Sequence, residues 1–529
     1  MRPRIGLTRL PSFVMLGLAA LAVLALTGVD GPATAQSAAL PRTGMICSTS
    51  PSATFTLTTK EGYISIPDGN TVYMWGFSEG NKSFQHPSPV LCVQEGDTVT
   101  ITLHNTLNED VSIVFPGQEN VLANGVPSQP VFNDAGELLS LAPVAPANGG
   151  SVTYSFVANR PGTFIYESGT EPAKQVNMGL YGALVVRPAL DPSLPTTDPH
   201  TGQPIAYAYN DAGTAYDPST EYLLIMAEID PELHTAVEQG LLYDMNRYTP
   251  RYWTYNGRSF PDTVADNGAT HLPNQPYSAL VYMRPLDPNP TLSDGSPNPG
   301  YNPRPVLIRH LNVGTVDFSH HPHGNHGRVI AWDGHQLKGE DGRDRSIEKF
   351  TVTVAPGRTL DALFAWVDVE KWNPVTNPIP VAIPQLQDLT IGQFFGGSPY
   401  LGQEENLPVG TQSFNQCGEY YHIAHSHSLH KISAWGIVLS GHITFARIDP
   451  PLPNQCPDVG LPTPAATSTA TATGEPTTPT PTDTATPTET ATPTPTATPT
   501  ETPLPATETP TATPTATETP TATPTATQD

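Results

Sequence analysis

Basic residues are scarce in this chain of 529 residues: 24 Lys and Arg stand against 49 Asp and Glu, for a formal net charge of −25. That balance excludes nucleic acid and anionic lipid surfaces as partners, because a polyanion is repelled rather than neutralised. Long apolar runs are missing after Phe13–Leu26, which excludes a membrane span in the mature protein. That one run follows basic Arg2, Arg4 and Arg9 and precedes the small-residue site Ala33-Thr34-Ala35, so residues 1–35 read as a secretory signal peptide and the protein as secreted. Beyond Arg447 there is no Lys, Arg or aromatic residue, and residues 457–529 run as Thr-Pro-Ala repeats. Such a segment has nothing to bury and reads as a disordered Thr/Pro-rich stalk. In extended form, at ~3.1 Å per residue, it would reach on the order of 200 Å. Two roles stay open for it, a tether associating the protein with the cell surface and an untethered tail. Cysteine is sparse as well. Cys47, Cys92, Cys417 and Cys456 in an exported chain are candidates for two disulfides, with three connectivities open.

Helical periodicity is equally rare. Short runs rich in Val, Ile, Thr and Tyr, bounded by Gly, Pro, Asn and Asp, predict an all-β chain of two Greek-key sandwich domains, at residues 43–190 and 200–450. Pro- and Asp-rich Ala189–Gln203 is the expected linker. In the first half, PVLCVQEGDTVTITLHNTL alternates apolar and polar residues on both sides of Glu95-Gly96-Asp97, predicting a hairpin there. In the second half, PELHTAVEQGLL predicts a short helix, and TVTVAPGRTLDALFAW echoes SVTYSFVANRPGTFIY, which suggests two copies of one β fold. No glycine-rich phosphate loop is present.

Histidine is where the chain concentrates its chemistry. Half of the sixteen lie in residues 320–326 and 422–430, and each window holds a His-x-His pair: His321 and His323, then His425 and His427. Along a strand i and i+2 share a face, so two such strands side by side gather four imidazoles on one surface. Imidazole suits Cu, Zn, Ni and Fe, and the lack of carboxylates nearby favours copper. His326 and His430 are candidates for extra ligands or for groups supporting the ligands. His422, an odd number of positions from His425, belongs on the opposite face.

These segments resemble those of the multicopper oxidases. HPHGNHGRVIAWDG is similar to that family's His-x-His-Gly segment, and HSHSLHKISAWG to its C-terminal His-Cys-His segment. SPVLCVQEGDTVTITLHNTLNEDVSIVFPGQ and PGTFIYESGTEPAKQVNMGLYGALVV are similar to its first domain. The resemblance implies cupredoxin-like domains, a copper cofactor and a copper-dependent oxidoreductase with oxygen as acceptor. Departures from the pattern qualify that expectation. Val114-Phe115-Pro116 and Glu167-Ser168-Gly169 stand where the family places the first domain's His-x-His pairs, so that domain has lost its ligands. Phe318, Ser426 and Lys431 (or His430, with a one-residue shift) stand where it places the ligands of its blue copper, so no blue centre is expected. Four imidazoles would hold one or two coppers in a single chain, or a homo-oligomer would complete a larger cluster between copies. The alternative is a non-catalytic envelope copper-binding or structural β-sandwich protein.

Overall fold

A computed structural model describes residues 41–367, 419–454 and 456. The expected signal peptide and Thr/Pro-rich stalk lie outside the described residues, as does Cys417. Among the described residues, strands dominate and build two β-sandwiches. In the first, one sheet runs in the order Thr71–Glu79, Thr54–Ser65, Thr98–His104, Ser151–Val157, Leu122–Ala123, Val126–Pro127. Its partner sheet runs Gly162–Glu167, Tyr181–Arg187, Leu91–Gln94. Side chains that alternate inward from both sheets, among them Leu57, Phe77, Val99, Ile101, Tyr154 and Phe164, form the core.

The second sandwich repeats this connectivity. One sheet runs Tyr252–Tyr255, Glu221–Ile229, Val306–Asn312, Thr359–Phe364, Gly327–Trp332, His335–Gln336, with Ile347–Lys349 also pairing Gly327–Trp332. The other runs Val281–Met283, Ile443–Ile448, Tyr420–Ser426, Phe318–Pro322, Val352–Val354. In both sandwiches the first strand pairs in parallel with the fourth and antiparallel with its own successor: Thr54–Ser65 with Thr98–His104 and Thr71–Glu79, Glu221–Ile229 with Val306–Asn312 and Tyr252–Tyr255. Two copies of one β fold are therefore present. The sequence echo, however, set them in the wrong register: Ser151–Val157 corresponds by pairing to Thr359–Phe364, and Gly162–Glu167 to Tyr420–Ser426.

The hairpin expected around Glu95-Gly96-Asp97 is also corrected. Leu91–Gln94 pairs with Tyr181–Arg187, while Thr98–His104 pairs with Thr54–Ser65 and Ser151–Val157. The turn thus carries the chain from one sheet to the other. Gly96 supplies the left-handed φ of 91° that it needs, and Asp97 accepts a hydrogen bond from the Gln94 amide at 2.7 Å. Both arms present apolar faces, but those faces meet across the core and not within one sheet. The short helix is present at Pro231–Glu238, with Asp230 accepting from the Glu232 amide as its N-cap.

Packing joins the two sandwiches. Val90, Ile165, Ala183 and Val185 of the first bury against Leu223, Ile225, Leu311 and Val313 of the second. The turn at Asp333-Gly334 seats against Phe164; Gly334 has φ 71°, and a Cβ there would lie 2.4 Å from the Phe164 ring. Beside this apolar contact lies a buried ionic one. Arg309 donates to Glu221 at 2.7 Å, to Asp361 at 3.2 Å and to the Thr163 hydroxyl at 2.9 Å. Cys47 pairs with Cys92, which excludes the connectivities that join Cys47 to Cys417 or Cys456, and Cys456 is disulfide-bonded as well.

Several histidines are buried as neutral rings. Burial pushes His86 down to about 3, and His234 and His310 down to about 4, from an ordinary value of 6.5. In the unfolded chain these rings take protons near 6.5 whereas the folded chain refuses them, so acidification favours unfolding. Each ring should cost about 2 kcal/mol of stability between pH 6.5 and about pH 5. Urea midpoints measured across that range should fall steadily; a flat profile would show that these rings are not buried uncharged.

Candidate metal centre

Phe318–Pro322 and Tyr420–Ser426 lie side by side and antiparallel, with His321 opposite His425. The ladder runs on past both strand ends, since the His323 amide donates to the Ile423 carbonyl at 2.9 Å and the His427 amide to the Ser319 carbonyl at 2.8 Å. Extended geometry is thereby kept through both His-x-His pairs, and all four rings gather on one face. Ring centroids lie 4.9 Å apart for His321 and His323, 5.4 Å for His321 and His425, and 4.8 Å for His321 and His427. His425 lies 5.1 Å from His323 and 5.8 Å from His427. One ligand nitrogen from each of His321, His323 and His425 falls within 4.8 Å of the others.

Hydrogen bonds fix which nitrogen is free. His321 Nδ1 donates to the Phe350 carbonyl at 2.8 Å, and His425 Nδ1 to the Ser426 carbonyl at 2.9 Å. Nε2 is left as the lone-pair nitrogen on both rings. His323 Nε2 and His425 Nε2 stand 3.1 Å apart. Two nitrogens bound tetrahedrally to one ion at about 2.0–2.1 Å would sit roughly 3.3 Å apart, so this pair already has the spacing of two ligands on one ion. Burial, then the neighbouring rings, hold His323 and His425 below the ordinary imidazole value, in the neutral form that a metal requires. His425 is buried, His321 half-buried and His427 exposed, which leaves one side of the cluster open to solvent.

The other sequence candidates stand apart from this group. His326 is exposed, and its ring lies 6.2 Å from Phe350. His430 is exposed and packs edge-on to Trp253 at 5.4 Å. His422 is buried against Trp366 at 4.1 Å. In the first sandwich Val114 bridges Glu167, the register in which His321 meets His425, so non-ligating Val114 and half-buried Glu167 occupy the equivalent positions.

Sequence reasoning missed a second gathering of histidines on the core side of the same sheet. His310, His320 and His442 are 1%, 3% and 0% exposed. His320 is paired across the sheet with Ser426, whose amide donates to the His442 carbonyl, so the three stand side by side on neighbouring strands. His310 packs on His320 at 5.0 Å from the facing sheet. A lone His in an apolar run gives no spacing signal; the only hint was a polar residue in strands that otherwise read as buried on both faces. Sequence reasoning also passed over Gly76-Phe77-Ser78-Glu79-Gly80, which matches the Gly-x-Ser-x-Gly pattern of a nucleophile elbow. It lies inside and at the end of the strand Thr71–Glu79 with Ser78 fully buried, not at a strand-to-helix turn, so it is no elbow.

Residues 58–191 match the family model described as multicopper oxidase. Among curated proteins, multicopper oxidase VdtB of Byssochlamys spectabilis is 36% identical over 106 residues, 20% of this chain and 13% of that protein. Laccase 1 of Metarhizium majus is 34% identical over 107 residues, 20% of this chain and 16% of that protein. The matched stretches therefore span about a seventh of those relatives. Among solved structures, the blue copper oxidase of Nitrosomonas europaea aligns with a TM-score of 0.45 and 17% identity, covering 75% of this chain and 85% of that one. The copper nitrite reductase of the same organism aligns at 0.40 and 19%, covering 77% and 95%. Residues 58–191, in the first sandwich, are thus similar to the multicopper oxidases, and the imidazole cluster lies in the second sandwich, outside that matched stretch.

Proposed function

We propose that this chain is an exported copper-dependent oxidoreductase that holds copper through His321, His323, His425 and His427 and lacks a blue copper centre. The observation that carries the reading is the 3.1 Å approach of His323 Nε2 to His425 Nε2, in a cluster where carbonyls engage the Nδ1 atoms of His321 and His425. When bound, copper supplies one-electron redox chemistry. The chain's own residues orient and shield it. The Phe350 and Ser426 carbonyls hold the two rings in place, the solvent-open side admits oxygen, and a metal ion or a phenol serves as the reductant.

Ser426 occupies the expected thiolate position, and a hydroxyl cannot give the soft sulfur ligand of a blue site. Lys431 fills the neighbouring pocket, its ammonium 4.3 Å from the Phe318 ring centroid and 5.2 Å from that of Trp253. Copper-loaded protein should therefore show no intense absorption near ~600 nm; such a band would overturn the assignment of Ser426. In the same reading, two copies facing their open sides would pool eight imidazoles, and the Thr/Pro-rich segment would associate the protein with the cell envelope. Light scattering with and without copper tests the pairing of copies.

Oxygen uptake with a one-electron reductant, lost in His323→Ala, is the expected result for the enzyme. The missing thiolate favours a second reading, a copper-binding protein without turnover. Copper bound with no oxygen uptake would select that reading.

A further inference from the structure

The lost thiolate leaves the copper reading without a route for electrons, and a column of rings behind the cluster runs where one is needed. Tyr255 is fully buried, and its hydroxyl shares a 2.7 Å hydrogen bond with His320 Nδ1. His320 directly precedes His321 in the chain. The ring of His442 stacks on Tyr255 at 3.5 Å, with 26° between planes, and lies 4.6 Å from Phe318. Phe318 lies 6.3 Å from Trp253, and Trp253 lies 5.4 Å from the exposed ring of His430. Rings in near contact thus lead from the surface to the residue beside a ligand.

We propose, resting on the copper reading, that Tyr255 is the redox relay of this protein, with Trp253 and His430 marking the surface where the electron enters. Copper held by the four imidazoles would supply a one-electron acceptor, and Tyr255 would give up one electron to it. At the same time its phenolic proton shifts along the existing hydrogen bond to His320 Nδ1. A one-electron donor of the phenol or reduced-metal class, docked near His430, returns an electron through Trp253, and the proton moves back to the phenolic oxygen. Net, one electron passes from donor to copper and no proton is gained or lost. Two features suit Tyr255 to this role. Among the described residues its hydroxyl has a single hydrogen-bond partner, so the proton has one destination. Its other close neighbour, His442, stacks face-on against the Tyr255 ring and makes no hydrogen bond to its hydroxyl. Trp253 and Tyr255 stand two residues apart on one strand and share its inward face.

The test uses full-length protein in two metal states. Zinc-loaded protein treated with hexachloroiridate(IV) and frozen rapidly should give a tyrosyl radical by electron paramagnetic resonance that persists after surface radicals are quenched with ascorbate. Tyr255→Phe should lose that persistent signal. In copper-loaded protein, decay of the cupric signal on adding hydroquinone should slow roughly tenfold or more in Tyr255→Phe, with the cupric spectrum itself unchanged. Trp253→Phe, which leaves the Tyr255–His320 pair in place, should slow the decay similarly and keep the radical. An undiminished radical in Tyr255→Phe, or unchanged decay in both variants, would overturn the relay. The zinc-loaded arm needs no copper, so failure of the copper reading would show separately, as absence of a cupric signal in wild type.

Discussion

Full-length protein carrying His425→Ala binds cupric copper roughly a hundredfold or more weakly than wild type, a loss beyond the 10–100-fold typical of groups that only support a ligand. His425, like His321, meets all three other rings: it lies 5.1 Å from His323, 5.4 Å from His321 and 5.8 Å from His427. Its Nε2 is one half of the 3.1 Å pair, and its Nδ1 is held by the Ser426 carbonyl. Alanine removes a central donor and leaves three rings, of which His427 is exposed. His326→Ala is the matched control. Its ring borders Phe350 and lies outside the ligand group, so affinity should change less than about threefold, half a log unit of binding. Isothermal titration with cupric ion checks both, and circular dichroism checks that each variant is folded. Equal losses in the two variants would mean that histidine number, not this geometry, governs uptake.

The second large effect concerns the joint between the sandwiches. Arg309→Met should cost about 3 kcal/mol, the low end of what breaking a buried ion pair costs. Arg309 is fully buried between Glu221 and Asp361, and removing it leaves two buried carboxylates short of a counter-charge. The low end applies because substitutes remain. Arg187 still donates to Glu221 at 2.6 Å, and Tyr209 still donates to Asp361 at 2.7 Å. Burial alone would push Glu221 up, but Arg309 and Arg187 hold it below the ordinary carboxylate value, so the arginines outweigh desolvation. A melting-temperature drop of roughly 6 °C or more is expected by calorimetry. Adding Asp361→Asn to Arg309→Met should recover part of it by removing the stranded charge. No recovery would show that Arg309 acts through packing and not through charge.

The site was legible because strand alternation is a rigid rule. Once His321/His323 and His425/His427 were read as extended pairs, their common face followed, and the bridge between Val114 and Glu167 matches the positions where the first domain was expected to have lost its ligands. The same rule failed where it carries no information. Alternation tells which face of a strand is buried, not which sheet the strand joins, so the Glu95-Gly96-Asp97 turn read as a hairpin when it crosses the sandwich. The echo between SVTYSFVANRPGTFIY and TVTVAPGRTLDALFAW matched turn chemistry, a Pro and a Gly ahead of an apolar run, that recurs at different corners of the fold. His310 and His442 were invisible for a third reason: their neighbours come from other strands, and only pairing brings Ser426 between His320 and His442.

Copper titration of the full-length wild-type protein, followed by electron paramagnetic resonance at each addition, tests the central claim most directly. The account predicts stoichiometric uptake with nitrogen hyperfine splitting from imidazole ligands. Folded protein that releases all its copper on simple desalting, or a cupric signal free of nitrogen splitting, would contradict it.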